Sequence, residues 1–403
     1  DLHGEGHSFP TRRSSDLWWR RAAEAPRERK ASAAGRALAG FGLGRPAWSG
    51  RDSASLARNG VAGNAVGFRC VRMIAEAAAS APLTLSDGAR RLETHPVLSL
   101  LRRPNPGQLG PAFLEAVYGH LMISGDAYVE AAGTLASGLP AELFALRPDR
   151  MRVLPGADGW PAGFEYAAGG RTVRFDVVDE VSPILHLKSF HPLDDHYGMS
   201  PLEAAAASVD VHNAAGAWAK ALLDNAARPS GAIVHRGPDG QGLSETQYQR
   251  LVEELEANHV GARNAGRPML LEGGLDWRPM GFSPSDMEFL ETRTAAAREV
   301  AIAFGVPPML LGLPGDATYA NYQEANRAFW RQTVLPLVAK VAGGLAEWLS
   351  DRTGEALTLA PDLDKVSALA SEREALWRRV SRAEFLSDAE KRAALGLPPE
   401  APR

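Results

Sequence analysis

The chain has 403 residues, and its 44 lysines and arginines stand against 48 aspartates and glutamates, for a formal net charge of -4. That length is enough for a large core and several structural modules. A protein that grips nucleic acid usually presents a basic face, so the acidic balance argues against tight nucleic-acid binding. The single cysteine, Cys70, excludes a disulfide framework, and its place on an apolar helix face predicts a buried structural thiol.

The N-terminal part of the chain predicts no packed structure. Residues 8–17 resemble translated sequencing-adapter sequence, so we set residues 1–17 apart from the fold. The stretch that follows is rich in Arg, Ala, Gly and Ser and has no sustained periodicity. We therefore expect residues 1–59 to form a flexible N-terminal arm.

Helices and then strands follow the arm. Apolar residues at helical spacing predict a helix over 64–81 that Asn64 caps, and two shorter helices are expected over 95–101 and 111–125. Between residues 127 and 187 the pattern changes to short strands separated by Gly, Pro and Asp. This change predicts a β-rich module.

Two long helices are the clearest feature of the middle of the chain. Ser200 followed by Pro201 is a helix start signal, and the alanine-rich stretch after it predicts a helix to residue 227. A second helix is expected over 285–304. Its apolar seam is formed by Met287, Leu290, Thr294, Ala297, Ala301 and Phe304. A small α/β insert over 229–282 separates the two helices.

The last third of the chain is helical after one loop. Residues 312–320 form a small-residue loop whose one charged side chain is Asp316; the pattern fits an ordinary connector and a contact surface equally well. The long helix that follows contains Pro336, which must kink it. The whole order, without a repeat and without regular βαβ alternation, indicates an α+β fold and neither a Rossmann domain nor a TIM barrel.

Enzyme motifs are weak throughout. The chain contains no GxxxxGK[ST] string, which excludes a P-loop NTPase. Side chains that could bind a metal cluster near one turn, although their spacing is loose: His186, His191, Asp194, Asp195 and His196. A loop with solvated side chains is the favoured interpretation. We expect no catalytic residue, no metal and no cofactor.

Six strings, in order, resemble the portal proteins of tailed bacteriophages and gene transfer agents, of the long-tailed phage type. They are HPVLSLLRRPNP (95–106), GDAYVE (125–130), YGMSPLEAA (197–205), GVPPMLLG (305–312), ANYQEANRAFWRQTVLPL (320–337) and LSDAEKRAALGLPP (386–399). No string is decisive alone, but together they indicate a resemblance over about residues 60–400.

The resemblance implies a portal fold. A mixed α/β wing would cover residues 60–199, first helical and then β-rich. The two stem helices would be 200–228 and 283–311, with the small α/β clip, 229–282, inserted between them. A tunnel loop (312–320), a kinked wing helix (321–350) and a helical crown with the C-terminal tail (351–403) would complete the subunit.

The resemblance also implies a function. The chain would be one subunit of a homo-oligomeric ring, a dodecamer, at the capsid vertex of a phage, prophage or gene transfer agent. Double-stranded DNA would pass through the ring without sequence specificity during packaging and ejection. The partners would be the terminase large subunit, the head–tail adaptor and the major capsid protein. The ring would assemble in the host bacterial cytoplasm, end in the virion and involve no membrane.

In that picture the DNA-facing residues are those of the tunnel loop: Leu313, Pro314, Gly315, Asp316, Ala317, Thr318 and Tyr319. A basic channel would trap the DNA, which carries about one charge per ~1.7 Å of axis, whereas a weakly acidic channel lets it slide. Two other functions stay open at this point. One is another head–tail connector or adaptor component, which would form a ring without paired stem helices. The other is an enzyme that uses the histidine cluster.

Overall fold

The computed structural model describes residues 48–88, 90–177, 181–224, 231–235, 246, 249–250, 253, 275–279, 289–314 and 319–397. The α-helices in that part of the chain are α1 (Ser53–Leu56), α2 (Ala65–Ser80), α3 (Pro96–Arg102), α4 (Gly110–Ser124), α5 (Pro201–Ala204), α6 (Ala206–Asp224), α7 (Phe289–Ala303), α8 (Tyr319–Phe329), α9 (Leu335–Thr353), α10 (Ala370–Ser381) and α11 (Asp388–Leu395). The strands are β1 (Leu83–Ser86), β2 (Arg91–Leu92), β3 (Asp126–Thr134), β4 (Pro140–Leu146), β5 (Met151–Pro155), β6 (Pro161–Ala168), β7 (Arg171–Asp176), β8 (Ile184–Lys188), β9 (Gly231–His235), β10 (Leu275–Pro279) and β11 (Thr358–Pro361).

The predicted cap of α2 is confirmed. The Asn64 side chain accepts hydrogen bonds from the backbone N–H groups of Val66 and Gly67, at 3.0 and 2.9 Å. Such a cap pairs amide groups that the first turn of a helix cannot pair itself. The apolar face of α2 then packs against α4. Cys70 lies in that interface without solvent exposure, and burial raises the pKa of its thiol to about 12, so it is inert at neutral pH.

The end of the expected flexible arm is folded, which corrects the boundary at residue 59. Helix α1 and a π-helical turn, Ala57–Ala62, precede α2. The Asp52 side chain caps α1, and Leu56 is buried in the main core. The Ser49 hydroxyl also donates a hydrogen bond to the Asp210 carboxylate in α6. The Ser49–Asp210 contact joins distant parts of the chain, so local periodicity could not reveal it. Residues 1–47 lie outside the described residues.

The β-rich module consists of two three-stranded antiparallel sheets. Strand β3 is the centre of the sheet ordered β4-β3-β8, and the other sheet is the meander β5-β6-β7. The two meet in a small apolar cluster formed by Tyr128, Leu146, Met151, Val153, Phe164 and Ile184. The other face of the β4-β3-β8 sheet contributes to the main core, together with α2, α4 and α9.

A strand from the C-terminal third of the chain pairs with a strand from the N-terminal third. Strand β11 pairs antiparallel with β1, with Leu83 opposite Pro361 and Ser86 opposite Thr358, and this forms a sheet ordered β11-β1-β2. Residues 351–403 were expected to lie together in the crown, and a strand at 358–361 was not predicted. A strand of four residues shows too little alternation of apolar and polar side chains to be predicted from its own sequence. Its stability comes from pairing with β1.

The first long helix begins where predicted but is not continuous. Ser200 caps α5 through a 2.9 Å hydrogen bond from the Glu203 N–H group, and Pro201 occupies the first turn, as expected. The helix is interrupted at Ala205 before α6 begins, and residues 225–227 lie outside the described residues. Most of the 229–282 insert also lies outside them. Its described strands, β9 and β10, pair antiparallel.

The long helix that contains Pro336 is interrupted just before this residue. Helix α8 passes into a π-helical segment, Trp330–Val334, and α9 follows with Pro336 in its first turn. Proline has no N–H group to donate to the preceding turn, and a wider π turn accommodates that loss. Beyond the proline, Val338, Val341, Leu345 and Leu349 are fully buried. None of the described helices is both long and apolar enough to cross a membrane.

We predict that His120, on α4, makes stability depend on pH. Burial lowers the pKa of His120 from 6.5 to about 4, with help from the nearby Arg147 guanidinium. The unfolded chain therefore binds a proton that the folded chain resists. Above pH 6.5 His120 is neutral in both states, and the free energy of unfolding does not depend on its titration. As the pH falls from 6.5 toward 4, the free energy of unfolding decreases by about 3 kcal/mol in total.

Urea unfolding at pH 7.5, 5.5 and 4.5 measures this loss. His120→Gln has no proton to bind, so its free energy of unfolding should fall less over that range than that of the wild type. Parallel pH curves for the two proteins would contradict the assignment.

Candidate functional site

Two glycines bring the β-rich module and the first long helix into backbone contact. Gly125 ends α4 with a left-handed φ of 80°, and its carbonyl accepts a 2.7 Å hydrogen bond from the Ser189 N–H group. A Cβ atom on Gly198 would lie 2.1 Å from the Gly125 carbonyl oxygen, and one on Gly125 would lie 2.4 Å from the Gly198 oxygen. Neither position therefore has room for a side chain. Gly125 and Gly198 belong to two of the six portal-like strings.

A buried carboxylate completes this contact. The Oδ1 atom of Asp126 accepts a 2.9 Å hydrogen bond from the Gly198 N–H group and lies 2.8 Å from Nε2 of His186. The His186 ring stacks on Tyr128, with 4.3 Å between ring centroids. A buried carboxylate is costly unless it is hydrogen-bonded, and here both partners are fixed by neighbouring structure. We call Gly125, Asp126, His186 and Gly198 the glycine junction.

The histidine and aspartate cluster around this junction builds a turn. Asp194 accepts hydrogen bonds from the N–H groups of His196 and Tyr197, and Nδ1 of His191 accepts one from Leu193 N–H. No three His, Cys, Asp or Glu side chains among the described residues form a group that could hold a metal ion. The expectation of solvated side chains is wrong for His186 and His196. His186 pairs with Asp126, and the side chain of His196 is buried.

Helices α6 and α7 pack against one another in antiparallel order. The Ser208 hydroxyl donates to the Glu299 carboxylate, and one turn farther along α6 the His212 ring lies 3.4 Å from Nε of Arg293. Among the side chains that the structure describes in this pair (206–220 and 290–303), the buried ones lie in the first half of α6, up to Ala215, and in the second half of α7, from Ala296. The pair is thus embedded at one end, whereas Trp218 and Leu290 are exposed toward the other.

The residues of the predicted seam differ in their burial within the single subunit. Ala297, Ala301 and Phe304 are buried, and Thr294 is half-buried. Leu290 is 78% exposed, because it lies on the part of α7 beyond the core of the subunit. Met287 lies outside the described residues.

A polar joint links the helix pair to the cap of α2. Nδ2 of Asn64 lies 3.1 Å from Nδ1 of His212 and donates a 2.9 Å hydrogen bond to the Asn213 side chain. Nδ2 of Asn213 in turn donates to the Asn59 carbonyl. Burial and the nearby Arg293 guanidinium lower the pKa of His212. The ring is therefore neutral, so its Nδ1 atom can accept the Asn64 bond.

The segment that leads into the 312–320 loop is held by a helix-ending motif, a side-chain hydrogen bond and a 3₁₀ turn. Gly305 has a φ of 66°, and the hydrogen bonds Gly305 N–H to Ile302 and Val306 N–H to Ala301 end α7 in a Schellman motif. The Thr333 hydroxyl donates a 2.7 Å hydrogen bond to the Gly305 carbonyl. The 3₁₀ turn Pro308–Leu311 begins three residues after Gly305, and it ends at Gly312, which is also left-handed.

The loop itself is described only in part. Leu313 and Pro314 follow Gly312, and the Arg298 guanidinium of α7 donates a hydrogen bond to the Pro314 carbonyl. Gly315, Asp316, Ala317 and Thr318 lie outside the described residues. Tyr319 begins α8, and its side chain is also outside them. The predicted loop over 312–320 overlaps the start of α8 at Tyr319. The contacts of Arg298 and Thr333 were not predicted from the sequence.

The chain is similar to known proteins over most of this architecture. The family model for "Phage portal protein" matches residues 65–396. A chain in the neck of an empty gene transfer agent particle, computed with C6 symmetry, is 63% identical, with a TM-score of 0.69 over 89% of this chain and 97% of that one. In the C12 neck of the native particle the values are 61% and 0.67 over the same shares. The probable portal protein of Streptomyces phage phiC31 is 26% identical over 350 residues, covering 82% of this chain and 74% of that protein.

The matched region contains most of the described core, both long helices and the braced loop. The chain therefore belongs to the phage portal protein family. Its role is that of a portal protein at a capsid vertex. The rival interpretation as another head–tail connector required the absence of paired helices, and α6 and α7 are paired.

We predict that the glycine junction cannot tolerate a methyl group. Gly198→Ala should lower the free energy of unfolding by about 3 kcal/mol or more, because backbone atoms at 2.1 Å must move apart. Gly216→Ala is the matched control: Gly216 lies within α6, and a Cβ there meets no atom within 4 Å. Alanine at 216 should stabilise the protein by about 0.5–1 kcal/mol. Urea unfolding at one protein concentration measures both, and equal midpoints for the two variants would refute the prediction.

Proposed function

We propose that this chain is the ring-forming subunit of a conduit for double-stranded DNA. The similar chains come from necks of gene transfer agent particles computed with C6 and C12 symmetry, and we infer a dodecamer here. The observation that carries the proposal is the antiparallel pair α6 and α7, embedded at one end, with an inserted module between its distal ends. In a ring, such pairs can line the passage while the inserted module extends from one end.

The domain assignments follow from this arrangement. Residues 60–199 and the 321–350 region form the wing, 200–228 and 283–311 the stem, 229–282 the clip, and 351–403 the crown, from which β11 returns to a wing sheet. The clip docks the terminase large subunit during packaging and the head–tail adaptor afterwards. The wing meets the major capsid protein. The ring assembles in the cytoplasm of the host bacterium and remains in the virion.

The 312–320 loop is the part of the subunit that we assign to DNA. Its base is held by α7 and by Thr333, which keeps the loop in place under a moving load. The net charge of -4 means that the chain supplies no basic excess to bind phosphates. Each phosphate contact adds affinity and slows sliding, so weak contact suits a conduit. The subunit performs no covalent chemistry, and ATP hydrolysis by the terminase supplies the energy.

Negative-stain imaging of the purified full chain tests the ring. We expect closed rings with a central opening, and most class averages should have twelve-fold symmetry. Monomers or open filaments at micromolar concentration would contradict the proposal.

Two variants test the loop. We predict that deletion of residues 313–317, and their replacement by a Gly-Ser segment of equal length, both reduce the DNA that filled heads retain. The replacement separates the side chains from the length of the loop. Retained DNA, measured per particle by nuclease protection, should fall at least several-fold for the deletion. Wild-type retention by both variants would show that the loop does not hold DNA.

A further inference from the structure

Two large apolar side chains stand out from the loop that joins β8 to α5. Phe190 is 84% exposed and Leu193 is 76% exposed. Single exposed apolar residues are ordinary on protein surfaces, but two on one short loop form a patch. We call residues 189–195 the knob.

The knob is held in a fixed conformation. Its first residue, Ser189, donates a hydrogen bond to the Gly125 carbonyl at the glycine junction. Nδ1 of His191 and the Asp194 carboxylate pair with backbone N–H groups in the turn, and the Lys188 ammonium donates to the Asp195 carbonyl. Because these hydrogen bonds fix the loop backbone, the apolar side chains stay exposed to solvent and cannot readily move into the core. Binding to a preformed surface loses less conformational entropy.

A groove of about 710 Å³ lies between α3 and the hairpin that joins β3 to β4. Part of its lining is apolar, and this part includes Leu98, Leu135 and Leu139. Arg102 and Arg103 line the groove as well, and both are exposed. The acidic residue of its lining, Glu93, is paired with Arg91 at 3.1 Å. The groove thus combines an apolar part with exposed positive charge, whereas the knob is apolar and adjoins Asp194 and Asp195.

The knob and the groove lie at opposite ends of one strand. Asp126, at the start of β3, is opposite Lys188, which directly precedes the knob. Thr134, at the end of β3, is opposite Pro140, which lines the groove. The eight residue steps between Asp126 and Thr134 correspond to ~26 Å at ~3.3 Å per residue. A knob at one end therefore cannot reach the groove at the other end of its own sheet.

We propose that the knob of one copy of this chain docks in the groove of the next copy. A contact between two different, separate surfaces of a subunit is a head-to-tail contact, and such contacts generate closed rings when the rotation between copies closes. Phe190 and Leu193 pack against the apolar lining, and Asp194 and Asp195 approach Arg102 and Arg103. The inference rests on the proposed ring and names a contact that joins its subunits.

Assembly of surface variants provides the first test. The knob variant is Phe190→Ser with Leu193→Ser, and the groove variant is Leu135→Ser with Arg103→Glu. The control is Phe385→Ser, which removes a side chain that is 87% exposed outside both surfaces. Mass photometry across a concentration series gives the concentration at which half of the chains are in rings. We expect an increase of at least ten-fold for the knob and the groove variants and no change for the control.

Disulfide trapping provides the second test. A chain with Phe190→Cys and Leu135→Cys should give, on mild oxidation, a ladder of cross-linked species on a non-reducing gel that extends to the complete ring. Each single-cysteine variant should remain monomeric on the gel, because Cys70 is fully buried and does not react. Far-UV circular dichroism confirms that the variants are folded, which is expected because the altered residues are on the surface.

The outcomes separate the contact from the ring. If the wild type forms rings but the knob and groove variants assemble like the control, the contact is wrong and the ring stands. Dimers from Phe190→Cys alone would indicate a knob-to-knob contact and also overturn the proposal, as would an equal loss of assembly in Phe385→Ser. If the wild type forms no rings at any concentration, the proposed function itself fails.

Discussion

The close approach of Gly125 and Gly198 is the constraint on which the rest of the subunit depends. It joins the turn between α4 and β3 to the segment that leads into α5 and α6, through backbone atoms that leave no room for a side chain. Asp126 fixes this contact because one carboxylate oxygen serves both the Gly198 N–H group and His186. The direction in which the chain enters the helix pair is therefore set by the β-rich module.

Features that depend on residues close together in the chain could be predicted from the sequence, whereas pairings between distant segments could not. The caps at Asn64 and Ser200 and the burial of Cys70 follow from short patterns. Strand β11 does not, since its partner lies more than 270 residues away. The exposure of Leu290 in the single subunit was not predicted, because helical periodicity shows which residues share a face, but not how far that face stays within the core. Gly125 and Gly198 each lie in a portal-like string, but the sequence did not predict that these two strings are in contact.

A DNA conduit needs a subunit that keeps its shape while DNA moves past it. The described polar interactions suit that demand. Asn64, His212 and Asn213 tie the helix pair to the cap of α2, and Thr333 and Arg298 tie the loop base to its neighbours. The two Asn64 bonds involve buried or half-buried groups, and losing one partner would leave the other unpaired at a cost of about 1–3 kcal/mol. The two bonds at the loop base are exposed. Such joints resist small displacements, so a push on one helix is transmitted to the body of the subunit.

Hydrogen–deuterium exchange resolved to single amides tests the glycine junction most directly, in the wild-type protein. The Ser189 and Gly198 N–H groups are bonded to the Gly125 carbonyl and the Asp126 carboxylate. If the junction opens only when the subunit unfolds, these two amides should exchange as slowly as those of Tyr128 and Val129 in the centre of the sheet. Exchange at the rate of an exposed turn such as Gly169–Gly170 would mean that the junction opens on its own and does not fix the helix pair.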